Sequence, residues 1–373
     1  MRSFVFSVAT LAGTIIGVGL FSLPYITLQV GVGVMFGYFL ILGTLVVLIH
    51  LFLGELALKT PDLKRLPGFA KIYLGITGER IAFFSSILGI FGAILAYLIV
   101  GGEFLASLFS PIFGGNSFSW TIVYFIIGAL LIFFGIRIIA KVEFWGLISF
   151  FIILLIIFFK NFSQIKLANF SLPADLSQFF LPYGPILFSL WGAALIPEIE
   201  EMLKEKKYLL KKVIIVSTLI PILIYLFFIY LILGITGPQT TESALTGLKN
   251  FLNPALFSFI LFFGVLATFT SFITLGLTLK KIFWYDLKIN KNIAWLIVCF
   301  VPLILFLIGI KQFILVIGLV GAIMLGIDGI LILLMYQKLQ LKTQRSKIKS
   351  LFIYSLVLIF LVGVLYEIIY FIK

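Results

Sequence analysis

The chain of 373 residues contains one cysteine, one histidine and only 11% charged residues. A single thiol, Cys299, excludes a disulfide framework and a thiol metal site. With His50 alone, zinc chemistry and a Ser-His-Asp triad have almost nothing to draw on. No clustered set of His, Cys, Asp or Arg and no nucleotide-binding loop is visible, which argues against an enzyme. No small-residue cleavage pattern follows Arg2, so the first apolar run is expected to be a retained helix, not a signal peptide. No run shows the ten-residue alternation of a transmembrane β-barrel either.

What is present is apolar. Hydrophobic residues make up 62% of the chain and aromatics 17%, and the mean hydropathy is +1.27; soluble domains are about 45–50% apolar and about 25% charged. At roughly 20 residues per crossing, apolar spans fall at 4–28, 32–57, 80–109, 120–138, 143–159, 179–203, 213–235, 255–279, 293–309, 313–336 and 351–372. An all-α polytopic membrane protein with eleven transmembrane helices is therefore expected, because spans this apolar satisfy their backbone only as helices. The longest loops, 58–79, 160–178 and 236–254, run to about 20 residues and leave no room for an aqueous domain. The last of them, punctuated by Pro238, Gly247 and Pro254, is a candidate external lid.

The formal charge of +13 sorts by loop. Twenty-two of the 27 basic residues flank one set of span ends, and only Lys160, Lys166, Lys249, Lys311 and Lys373 flank the other. The basic set marks the cytoplasmic side, so the N-terminus is expected inside and the C-terminus outside. The surplus reflects topology, with no nucleic-acid partner implied.

Two spans look broken. The first carries Gly13, Gly17 and Gly19 near its middle, where each interior glycine costs about 1 kcal/mol relative to alanine. The sixth runs Ser189-Leu190-Trp191-Gly192 and reaches Pro197 and Glu198. Either span alone is equally well read as close helix packing or a tolerated kink. At matched positions five spans apart, they point to a transporter with a 5+5 inverted repeat and the substrate between the halves. The expected divisions are a first repeat over 1–160, a second over 161–337, and a cytoplasmic loop with one extra C-terminal helix over 338–373.

Several stretches carry a family likeness. Gly13-Thr14-Ile15-Ile16-Gly17-Val18-Gly19-Leu20-Phe21-Ser22-Leu23-Pro24-Tyr25 resembles the first-helix signature of the amino acid–polyamine–organocation superfamily, in its aromatic amino acid permease and amino acid/auxin permease branches. Ala96 to Glu103 is similar to the third helix, Phe188 to Gly192 with Ile196-Pro197 to the sixth, and Thr270 to Leu277 to the eighth. Gly13 stands where the superfamily's sodium-coupled neutral carriers have Asn. The aromatic permeases usually have one more residue between Phe272 and the Leu-Gly pair.

The resemblance implies a secondary active symporter for a neutral or aromatic amino acid, working by alternating access. It also leaves an amino-acid-sensing receptor of the germinant type as an alternative. Backbone at Gly13, Thr14, Gly17, Val18, Gly19, Ser189 and Gly192 would pair the substrate's carboxylate and ammonium, since broken helices present free N–H and C=O groups. Tyr97 would add a hydroxyl and Trp191 a cap, unless both are packing residues. No cofactor is expected beyond a coupling proton or sodium ion. Glu103 and Asp328 are candidate proton carriers, because a charge inside a span is costly. Thr268, Thr270 and Ser271 supply hydroxyls on the eighth span, the last two as a possible sodium site; they equally fit bonds to their own helix carbonyls. Glu198 and Glu200 read as gate or surface pairs and His50 as interfacial. The partners expected are an amino acid, as a small-molecule substrate, and the lipid bilayer, with no obligate protein. A reporter fused after Lys373 should be active only on the outer side, and one within 338–349 only in the cytoplasm; an inside C-terminus would overturn the eleven-span topology.

Overall fold

The computed structural model describes residues 2–60, 64–135, 139–341 and 347–372, and every regular element among them is helical. In chain order the helices are α1 (Arg2–Ile15), α2 (Leu23–Val30), α3 (Val32–Lys59), α4 (Leu66–Phe113), α5 (Ser117–Phe134), α6 (Ile139–Asn161), α7 (Tyr183–Leu190) and α8 (Ile196–Leu203). They continue as α9 (Leu210–Thr236), α10 (Pro254–Lys281), α11 (Lys291–Leu307), α12 (Phe313–Leu319), α13 (Leu325–Leu341) and α14 (Lys347–Ile372). Seven stretches among the described residues are long and apolar enough to cross a membrane. A further pair, Ser3–Ile15 and Val18–Val30, qualifies when joined across a 51° bend, and two shorter apolar helices cover Ile148–Gln164 and Lys291–Leu307.

Local chemistry sets the boundaries. Asn116 begins α5 by accepting the Ser119 N–H at 2.9 Å, and Asn253 begins α10 by accepting that of Leu256 at 2.9 Å; side-chain oxygens at these positions satisfy orphan helix donors. Gly135 closes α5 with φ +72°, a left-handed conformation suited to glycine. The packing is centred on α4, which runs against α5, α10 and α13, while α9 lies against α1, α2 and α3.

Two expected loops are more structured than composition suggests. Within 58–79, α4 starts at Leu66, with Pro67 in its first turn where a missing N–H is harmless, and turns at Gly75 (φ +79°). The hydroxyls of Thr60 and Tyr73, 3.1 Å apart, hold this short arm to α3. The expected lid, 236–254, contains two 3₁₀ turns, Gly237–Gln239 and Thr246–Asn250, and buries Leu245 and Leu248 completely.

The sixth and tenth spans meet backbone to backbone. A π-helical turn, Val320–Met324, separates α12 from α13 and packs on α7. A Cβ added to Gly184 or Gly321 would run into the main chain of the other segment, at Gly318 and Gly184 respectively. Gly321→Ala should therefore cost about 1–3 kcal/mol, measurable as a lowered melting temperature of the purified protein in detergent.

Candidate functional site

The first span breaks where its glycines predicted. Helix α1 ends at Ile15, Gly17 is extended (φ −130°, ψ −159°), and a 3₁₀ turn over Val18–Ser22 leads into α2. The sixth span breaks at Trp191–Gly192, between α7 and a 3₁₀ turn over Ala193–Leu195 that leads into α8. Pro197 lies in the first turn of α8, where no helical N–H is lost.

The two breaks touch. A Cβ on Gly19 would strike the Ser189 hydroxyl, and one on Gly192 would lie 2.7 Å from the Ile15 side chain. Each break leaves backbone groups without helical partners, and at membrane depth these must be paired within the protein. Three side chains do so. The Tyr225 hydroxyl, fully buried on α9, lies 2.9 Å from the Ile15 carbonyl and 2.7 Å from that of Ser189, and can donate its one proton to either. The Val18 N–H donates to the Tyr97 hydroxyl at 3.2 Å. The Gly192 N–H donates to His50 Nε2 at 3.1 Å.

His50 is fully buried within the protein, with Trp191 edge-on at 6.0 Å. Because Nε2 accepts, the ring proton resides on Nδ1 and points to Thr218 Oγ1 at 3.3 Å, whose own proton goes to the Ile214 carbonyl. This donor–acceptor pattern defines a neutral imidazole in one tautomer.

A cavity of about 30 Å³ lies beside the first break, lined by residues that include Gly13, Gly17, Val18, Tyr97, Thr268 and Ser271. That is room for about two water molecules, so admitting an amino acid requires the half-helices or their neighbours to move. Phe21 and Phe150 line the same cavity, and Phe21 meets the rings of Phe104, Phe150 and Phe228 edge-on at 5.0, 5.8 and 6.2 Å.

Other expected site residues lie apart from this cavity. Thr14 is exposed and donates to the Thr10 carbonyl, and Thr270 donates to the Ala267 carbonyl of its own helix. Trp191 flanks the sixth-helix break without lining the cavity. Glu103 accepts from Ser243 at 2.9 Å and Thr246 at 3.3 Å, which ties the loop over 236–254 to α4. Asp328, 6% exposed on α13, is bonded to the Ser85 hydroxyl of α4. On the basic side, Glu198 lies 3.8 Å from Arg65 and Glu200 pairs with Lys207; partly exposed pairs of this kind contribute little to stability. In the loop over 236–254, partial desolvation holds the Glu242 carboxyl above its ordinary range.

Tyr225 and His50 are the residues that the sequence reading missed. A solitary histidine in an otherwise apolar span is a signal in hindsight, whereas Tyr225 is one of 14 tyrosines with nothing local to mark it.

Two apolar helices broken at touching positions inside an all-helical bundle define the fold of a secondary transporter. The fold is similar to the crystal structure of MhsT in complex with L-phenylalanine: TM-score 0.66 at 15% identity, over 98% of this chain and 97% of that one. It is also similar to the Eremococcus coleocola manganese transporter in complex with an aromatic bis-isothiourea compound: TM-score 0.58 at 13% identity, over 98% and 94% of the two chains. The sequence matches no curated protein. The chain belongs to the tryptophan/tyrosine permease family, whose profile matches residues 1–370. It is thus a multi-pass membrane protein and a secondary amino-acid transporter, not an enzyme, and the family does not support the receptor alternative.

His50→Ala leaves the Gly192 N–H unpaired and should cost about 1–3 kcal/mol, read as a lower melting temperature. Tyr225→Phe removes the one proton that the two helix ends share and should weaken amino-acid binding about ten-fold, measured by calorimetry on the purified protein.

Proposed function

We propose that the chain is a proton-coupled symporter of tryptophan or tyrosine, binding its substrate where the two broken helices meet. The observation that carries this reading is the contact of Gly19 with Ser189 beneath a single hydroxyl, Tyr225, shared by the carbonyl ends of α1 and α7. The substrate carboxylate would approach the N–H groups of Val18 and Gly19 and the Tyr97 hydroxyl, at the positive end of the half-helix leading to α2. Its ammonium would take carbonyls near Gly13 and Ser189, and its ring would pack against Phe21 and Phe150. The family's name and the L-phenylalanine bound by MhsT both favour an aromatic side chain.

In this reading the chain crosses the membrane eleven times. The 57-residue stretch Tyr183–Gln239 counts as two crossings, and the bent first pair as one. The repeats are 1–160 and 161–337, with 338–373 added, and the N-terminus is inside and the C-terminus outside, as the basic loops favour. Asp328 is the preferred proton carrier, since one serine hydroxyl is its only partner among the described residues and an ionised carboxylate needs more compensation than that. Glu103 is occupied with the outer loop. Thr268 and Ser271 would hold the ion if sodium is coupled instead, Thr270 lying outside the cavity.

Uptake of tryptophan into proteoliposomes should be driven by an imposed proton gradient alone. Asp328→Asn should abolish accumulation and retain exchange. Accumulation driven by sodium at equal pH, lost in Ser271→Ala and kept in Asp328→Asn and Glu103→Gln, would overturn proton coupling.

A further inference from the structure

A second cavity, of about 170 Å³, lies apart from the helix breaks, among Tyr25 of α2, Pro185 of α7, Glu242 of the outer loop, Gln312 and Gly318 at α12, and Glu367 of α14. Its chemistry is one-sided. Two of the chain's 14 acidic residues line it and no lysine or arginine does.

Glu367 is the unusual member. It is 6% exposed, yet none of the hydrogen bonds or ion pairs of the described residues involves its carboxylate. Gly318 leaves room for it: a Cβ there would lie 2.6 Å from Glu367 Oε1. The Glu367 carboxylate therefore meets the cavity and, among the described residues, no protein donor, and a cation entering the cavity would supply the missing partner. No group of three or more His, Cys, Asp or Glu suited to a metal occurs among the described residues. An ammonium, with three donors and one charge, matches two carboxylates, a glutamine amide and tyrosine oxygens better. Tyr25 and Tyr366 on the walls can take an attached ring or face the charge. A free carboxylate on the ligand would meet like charge.

We infer that this cavity is an outer binding site for a small organic amine lacking a carboxylate, held between Glu367 and Glu242 and distinct from the transport site. Its walls come from the second half of the broken first helix, the first half of the broken sixth, the outer loop and α14. An occupant therefore bridges the segments that must separate for an amino acid to enter, so the amine inhibits uptake without competing for the central site. Only that last consequence rests on the transport reading.

The test is calorimetry with tyramine on the full purified chain, with tyrosine as the matched ligand that adds a carboxylate. Tyramine should bind saturably, and Glu367→Gln and Glu242→Gln should each weaken it at least about ten-fold. Tyr97→Phe, in the central site, should leave its affinity unchanged, and excess tyrosine should not displace it. Glu242 is exposed on the outer loop, so its variant decides the matter should Glu367→Gln fail to fold. Absence of saturable heat at millimolar tyramine, wild-type affinity in the folded glutamine variants, or loss of binding in Tyr97→Phe overturns the site. Tyramine binding without any amino-acid uptake would instead sink the transport reading and leave this one standing.

Discussion

A helix interrupted inside a bilayer exposes N–H and C=O groups that lipid cannot satisfy, and the arrangement of this protein follows from how they are paired. Tyr225 serves the carbonyl ends of two separate helices with one hydroxyl, and His50 and Tyr97 serve the N–H groups of Gly192 and Val18. These donors and acceptors come from α9, α3 and α4, so the breaks are held open by helices that run unbroken past Tyr225, His50 and Tyr97. Removal of any one partner leaves a buried polar group unpaired, the most expensive kind of defect in this environment.

The glycines answer a second constraint, that of distance. Gly19 faces Ser189, Gly192 faces Ile15, and Gly184 faces the turn around Gly318 and Gly321. In each case a side chain would push apart segments that are in contact. The sixth span is thus in contact with the first on one side and the tenth on the other, and a change at either reaches both.

Much of this was legible beforehand for a simple reason: in a bilayer, apolar length and glycine position determine structure almost directly. The breaks at Gly17 and Trp191–Gly192 fall within the stretches marked by glycine and proline, and the Tyr97 hydroxyl lies at the first break. Side-chain direction was not legible. Thr14 and Thr270 share the right stretches of chain, but their hydroxyls turn back to their own helices, because a one-residue step rotates a side chain about 100° around the axis. His50 and Tyr225 escaped notice because their partners lie between 36 and 210 positions away, and no local pattern reports such a pairing. The arm at Leu66–Leu74 and the folded outer loop were hidden by composition that reads equally as coil.

The nest of rings around Phe21 bears on how the outer half of the first helix can move. Phe21 meets Phe104, Phe150 and Phe228 edge-on, with interplanar angles of 88°, 87° and 74°. Edge-to-face pairs hold their rings at specific separations, so Phe21 would serve as the anchor about which α2 swivels if the half-helix moves. Sliding along the axis, by contrast, would pull the ring out of its socket. The geometry therefore favours tilting over piston motion, and it sets the pivot one turn beyond the break, so that a small swing at the joint becomes a larger displacement at the outer end, where Gly31 leads into α3.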